Sequence, residues 1–178
     1  MTRKTLINLH MYLSAFFAPA IVLVAISGGL YLAGIKGEVA QNLIYQGAAN
    51  LDVESADLKL EVEALLEKVG IRDYDFEYVK VKGTTLYTRP TTRDHFVMEL
   101  NNGKVKLSSA NPDLQKVMME LHKGHGPSSF KTFQKIFSLG LLVIILSGLG
   151  LGISAAGLRR RTLLITITGT LTFLALAL

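Results

Sequence analysis

The chain of 178 residues contains no cysteine. That excludes a disulfide framework, a thiolate metal site, a c-type haem attachment and a lipoprotein anchor. Charge is also sparse, at 19% of residues against 49% hydrophobic, and its absence is concentrated. No charged side chain occurs from Leu9 to Ile35, from Ile136 to Leu158, or from Thr162 to Leu178. The first two stretches are each long enough to cross a hydrocarbon core of about 30 Å at about 1.5 Å per helical residue. The third, of 17 residues, lies at the short limit: it must cross nearly upright, thin the bilayer locally or enter only part way, and a third crossing is the expectation. Arg3 and Lys4 resemble the start of a signal peptide. The apolar stretch after them is about twice the usual length, which favours an uncleaved signal-anchor.

Signatures of catalysis are missing as well. There is no Gly-rich phosphate loop, no nucleophile elbow and no His-Glu-x-x-His. The carboxylates fall on surface patterns and none is expected to be paired in an apolar setting.

All 14 acidic residues lie between Glu38 and Glu120, and the segment from Lys36 to Lys135 holds 14 of the 19 Lys and Arg. That segment is neutral. The net charge of +5 comes from Arg3, Lys4, Arg159, Arg160 and Arg161, all flanking apolar blocks. Short basic flanks stay on the cytoplasmic side of a membrane. This places residues 1–6 and 159–161 inside, spans at 7–35, 133–158 and 162–178, and the domain at 36–132 outside. Because the basic excess is topological, a nucleic-acid partner is excluded. The expected partners are the bilayer and a membrane or extracytoplasmic protein, or a second copy of the chain. The fold class is a membrane α-helical protein with two to three transmembrane helices and an inserted small α+β extracytoplasmic domain.

Within that domain Ser55 can cap a helix carrying Leu58, Val62, Leu65, Leu66 and Val69, closed by Gly70. Tyr74, Phe76 and Tyr78 alternate as in a strand, and the apolar phase then switches to Val79 and Val81. Leu86-Tyr87-Thr88 forms a short strand stopped by Pro90. Phe96, Met98 and Leu100 alternate again, and Asn101-Asn102-Gly103-Lys104 makes a hairpin to Val105 and Leu107. Asn111-Pro112 opens a second helix with a stripe of Leu114, Val117, Met118 and Leu121. The order is helix, about four antiparallel strands, helix.

Four histidines carry what chemistry the sequence offers. His10 near the inner end of the first span is either an intramembrane functional group or a side chain reaching headgroups and water. His122 and His125 are spaced to share a helical face and bind a metal or haem edge, yet Gly124, Gly126 and Pro127 would end the helix there. His95 falls on the polar face of its strand and is expected to be solvated. A haem held by His10 together with His122 or His125 is excluded in one chain, because the charge rule places them on opposite sides of the membrane. Small residues at Ser27-Gly28-Gly29, and at Gly148 and Gly152, suit close helix contacts. Thr166, Thr168, Thr170 and Thr172 are expected to bond between helices. Pro19 predicts a kink.

These motifs resemble those of the PepSY-associated transmembrane family: Asn8 and His10 at the start of the first span, then Ser27-Gly28-Gly29, Leu121-His122-Lys123-Gly124, and Leu146-Ser147-Gly148-Leu149. The resemblance implies a bacterial inner-membrane protein with a periplasmic PepSY-like domain. Larger relatives are associated with iron uptake, and some resemble haem-carrying reductases of ferric siderophores. In the case of those reductases the resemblance implies haem b, with His10, His122 and His125 as the matching cofactor-binding candidates; otherwise the cofactor is unknown. This chain departs from them in its few spans and in lacking a second histidine on the inner side. PepSY domains elsewhere restrain peptidases or bind periplasmic partners. The two expectations are an anchored binding or accessory module without catalysis of its own, and a b-type haem electron-transfer subunit supporting ferric reduction.

Overall fold

The computed structural model describes residues 2–49 and 51–178. The elements run α1 (Arg3–Leu32), β1 (Val39–Ala48), α2 (Leu58–Lys68), β2 (Tyr78–Lys82), β3 (Thr85–Arg89), β4 (His95–Asn101), β5 (Lys104–Pro112), α3 (Leu114–His122), α4 (Ser128–Ser154) and α5 (Arg159–Ala177). They form two compact units, Met1–Ile21 with Lys135–Leu178, and Val22–Gln134.

The first unit is helical. The helices α1 and α4 have mean hydropathies of 2.1 and 2.5 and are long and apolar enough to cross a membrane. Only 11% of each apolar window is buried, whereas a core helix of a soluble protein would be mostly enclosed. Tyr12, Phe16, Leu139 and Leu146 all face outward. The segments meet in antiparallel register, with Leu6 beside Gly150, His10 beside Gly148 and Phe17 beside Gly140. Phe17 is buried by this contact and its ring lies 5.6 Å from that of Phe137. The small-residue face thus serves internal packing: Gly148 receives α1 and Gly152 receives Thr162 of α5. The rest of α5 is exposed, and Thr170 donates to the carbonyl of Thr166 on its own helix. Among the described residues Thr170 thus bonds within its helix rather than between helices, because a threonine hydroxyl reaches its own preceding turn without any neighbour.

The second unit is built on a five-stranded antiparallel sheet in the order β1-β5-β4-β3-β2. On one face α2 lays Leu58, Val62, Leu65 and Leu66 against Leu86, Met98, Val105 and Leu107. This cluster is a buried apolar core of the domain, and such burial contributes about 25 cal/mol per Å² of apolar area. The cap position of α2 is Asp57, two residues later than Ser55. The Ser55 hydroxyl instead accepts from the Asp57 amide at 3.1 Å, one turn upstream. At the far end Gly70 has φ +85°, as its closing position requires.

The hairpin forms as expected, with Asn102 at φ 47°, Gly103 at φ 75°, and Asn101 paired with Lys104. Other expectations fail. Residues 71–76 are irregular, and Phe76 and Tyr74 pack on the core without a partner strand. Asn111 and Pro112 belong to β5, and Asp113 caps α3 instead, accepting from the Lys116 amide at 2.6 Å. The Asp113 carboxylate also accepts from the Glu38 amide at 2.9 Å, joining the start of β1 to α3. These amides hold its pKa below the usual carboxylate range. Gly37 lies against this turn with φ +73°, where a Cβ would meet the Lys116 backbone. Leu114, expected on the apolar stripe, is 76% exposed, and the enclosed side of α3 is Met119 and Glu120.

The helix α4 starts at Ser128, earlier than its apolar block. Glu77, just before β2, accepts from the Ser128 amide at 3.0 Å and from its hydroxyl. A carboxylate at a helix N-terminus satisfies free amides and meets the positive end of the dipole. These bonds from Ser128 hold the Glu77 carboxyl below its ordinary range. Lys131 then donates to the Tyr78 hydroxyl at 2.6 Å, fixing the first turn of α4 to β2.

Candidate functional site

The second sheet face carries β3 residues Tyr87 and Arg89 and β4 residues His95 and Val97, since side chains alternate along strands. Across the ladder Lys80 pairs with Tyr87, Tyr87 with Val97, and Val97 with Ser108. With α3 these residues line a groove of about 530 Å³. Its walls hold Lys80, Lys82, Arg89, Lys116 and Lys123 against a single carboxylate, Glu120.

Glu120 is 6% exposed, contrary to the expectation that every carboxylate lies on a surface pattern. It is enclosed because α3 covers this sheet face, and it is held by partners from three places. The Thr91 hydroxyl donates to Oε2 at 2.8 Å and His125 Nδ1 lies 2.6 Å from the same oxygen. Arg89 approaches to 3.7 Å, Lys116 to 3.4 Å and Lys123 to 4.0 Å. Burial alone would raise its pKa, but the bonds from His125 and Thr91 and the charges of His125 and Lys116 outweigh it. The result is a value of about 2.

The turn after α3 explains why His125 reaches back. Gly124 has φ +75°, and the His125 amide bonds the Glu120 carbonyl at 2.9 Å, so the helix closes in a Schellman motif. The turn brings the imidazole onto the Glu120 carboxylate. The Thr91 amide donates to the His125 carbonyl at 3.3 Å and closes that end of the groove. Arg89 is 9% exposed; its Nη1 donates to Thr91, and its Nε has no acceptor among the described residues.

The histidines are distributed differently from a shared ligand set. His122 and His125 diverge at Gly124: His122 Nδ1 lies 2.9 Å from the Ser27 hydroxyl, with Gly28 making room for the ring. His10 belongs to the first unit, its Nδ1 3.0 Å from the Ile144 carbonyl and 3.0 Å from the Ser147 hydroxyl, with its ring over Gly148. Each therefore occupies a Ser-Gly seat on a helix. A carbonyl can only accept, so Nδ1 is the donor in the His10–Ile144 bond. His95 is 7% exposed rather than solvated, because α3 covers the face assumed to be polar. Burial lowers its pKa, and Nδ1 bonds the Arg93 carbonyl at 2.8 Å.

Those seats bear on haem. Iron held by two imidazoles needs both at one centre. The first unit contains His10 and no other histidine, so its residues do not fit a bis-imidazole haem. Among the described residues no cluster of three or more His, Asp and Glu forms a metal site.

Sequence reasoning missed the groove because its cations come from β2, β3 and α3 within a neutral segment. The available signals were Lys80-x-Lys82 on one strand face, and Lys116, Glu120 and Lys123 at helical spacing.

No curated protein and no solved structure matches the chain. A family profile described as PepSY_TM-like matches residues 34–178, which includes the whole sheet, the groove, α3 and the last two helices. With two exposed apolar helices of spanning length in the same sequence, the chain belongs to the PepSY_TM-like family, a group of membrane-associated PepSY-like modules.

Proposed function

We propose that the chain is an inner-membrane-anchored binding or accessory module without catalysis of its own, with its N-terminus cytoplasmic and residues 36–132 in the periplasm. The groove carries this reading. It is open and strongly cationic, yet its one buried carboxylate is committed to structural partners. A carboxyl with a pKa of about 2, already accepting from Thr91 and His125, is too weak a base for proton transfer near neutral pH. The basic residues Arg3, Lys4 and Arg159–Arg161 support the orientation. They also support a third crossing by α5, whose exposed apolar surface suits lipid.

The second reading is a b-type haem electron-transfer subunit for ferric iron reduction. Its supporting observation is His10, whose Nδ1 is tied to a carbonyl in the way that orients ligating imidazoles. It requires a second imidazole from another chain. An absorption spectrum separates the two. The full chain, expressed with ample haem and purified in detergent, is expected to show no stoichiometric Soret band. A stoichiometric band abolished by His10→Ala or His122→Ala would overturn the first reading in favour of the second.

A further inference from the structure

We propose that the groove between α3 and strands β2–β4 binds a phosphate-bearing anion. This rests on the domain's being a binding module and is independent of which side of the membrane it faces.

The first observation is charge. Five cations line the groove against Glu120, while the surrounding segment is neutral, so the positive excess is local. A cleft lined by one sign of charge focuses its field and concentrates counter-ions. Glu120 neutralises only part of the wall, because Lys80 and Lys82 have no carboxylate partner in the groove. A monoanion would leave most of this excess uncompensated, whereas a phosphate monoester or pyrophosphate brings two or more charges on closely spaced oxygens.

The second observation is Arg89. The residue is nine-tenths buried in the groove wall, and its buried Nε donor has no acceptor among the described residues. A buried donor left unpaired is costly, and such groups are rare in folded proteins. The guanidinium fork matches phosphate geometry in two bonds. A phosphate oxygen would satisfy Nε without disturbing the Nη1 bond to Thr91.

The third observation is location. Lys123, on the groove rim, lies 5.6 Å from the ring of Tyr31 in the last turn of α1, and Lys36 lies 5.5 Å from the same ring. Tyrosine and lysine at the end of an apolar helix mark headgroup level. The phosphate can therefore arrive as a lipid headgroup or as a soluble ester.

The test uses the full chain in nanodiscs and the double variant Lys80→Glu/Lys82→Glu. Both lysines are exposed on the edge strand and do not touch Glu120, and circular dichroism checks that the variant folds. In phosphatidylcholine discs, pyrophosphate is titrated by calorimetry. Binding that weakens roughly tenfold or more in the double variant and falls with added salt supports a soluble phosphate. A higher unfolding midpoint in mixed phosphatidylcholine–phosphatidylglycerol discs, present in the parent and lost in the double variant, supports a lipid phosphate. If neither occurs but citrate binds through the same two lysines, the phosphate assignment is overturned and the binding-module reading stands. If pyrophosphate, phosphatidylglycerol and citrate are all without effect, the phosphate assignment is overturned and the binding-module reading loses its main support.

Discussion

Replacing Glu120 with alanine is expected to destabilise the central domain by about 3 kcal/mol. That is a fall of roughly 15 °C in the unfolding midpoint for a domain of this size. The effect arises from what remains. Arg89 is nine-tenths buried, and without the carboxylate its charge has no counter-ion among the described residues, while Thr91 loses its acceptor. Lys116 and Lys123 are more exposed and recover hydration, which keeps the cost near the lower end for a broken buried pair. Glu120→Gln keeps an acceptor for Thr91 and removes only the charge, so about half the loss is expected.

The same group sets an acid dependence. Its folded pKa of about 2 lies below the ordinary 4.5, so the unfolded chain binds a proton first as pH falls. The stabilisation is complete above about pH 5 and declines as pH drops towards 2. Thermal unfolding in detergent, with amide exchange of β3–β5, measures both effects. An unchanged midpoint in Glu120→Ala, or an unaltered pH slope between 5 and 3 in Glu120→Gln, would contradict the network.

The second large effect is expected at Gly140. A Cβ there would overlap the ring of Phe17, a buried side chain in the antiparallel contact of α1 and α4. Helices in lipid gain little from the hydrophobic effect and depend on close packing. Gly140→Ile should therefore cost about 1–3 kcal/mol of helix association. The cysteine-free background gives a direct readout, because Leu6 lies against Gly150 in the same contact. Leu6→Cys/Gly150→Cys should cross-link readily in the parent. Adding Gly140→Ile should slow the reaction about tenfold, and Phe17→Ala should restore it by returning the space. Equal cross-linking with and without Gly140→Ile would show that the helices do not pack through this face.

Features that rest on uninterrupted local patterns were legible in the sequence. The apolar blocks became α1, α4 and α5. The Asn101–Lys104 turn could be read because Asn and Gly accept the two positive φ angles it needs. Leu58, Val62, Leu65 and Leu66 at helical spacing proved to be the buried face of α2. Features that depend on distant partners were not. β1 shows no alternation, since it is an exposed edge strand held by backbone pairing to β5, about sixty residues on. Tyr74, Phe76 and Tyr78 alternate like a strand but have no ladder to join until Tyr78.

His95 on its strand and Glu120 on α3 were misplaced because the sheet face between them is covered. Alternation is usually read as one buried and one wet face, and here α2 and α3 cover both. The histidine pair was half legible: Gly124 announces the helix end, but only the fold shows that His125 then turns to Glu120 while His122 turns to Ser27.

Impermeant maleimide labelling of intact cells, using Lys104→Cys and Arg160→Cys as single-cysteine chains, is the most direct check on the anchored, outward-facing domain. Position 104 sits at the exposed hairpin and position 160 in the arginine cluster. Labelling at 104 with protection at 160 until the cells are permeabilised is the expected result. Labelling at 160 with protection at 104 would invert the molecule and remove the periplasmic role.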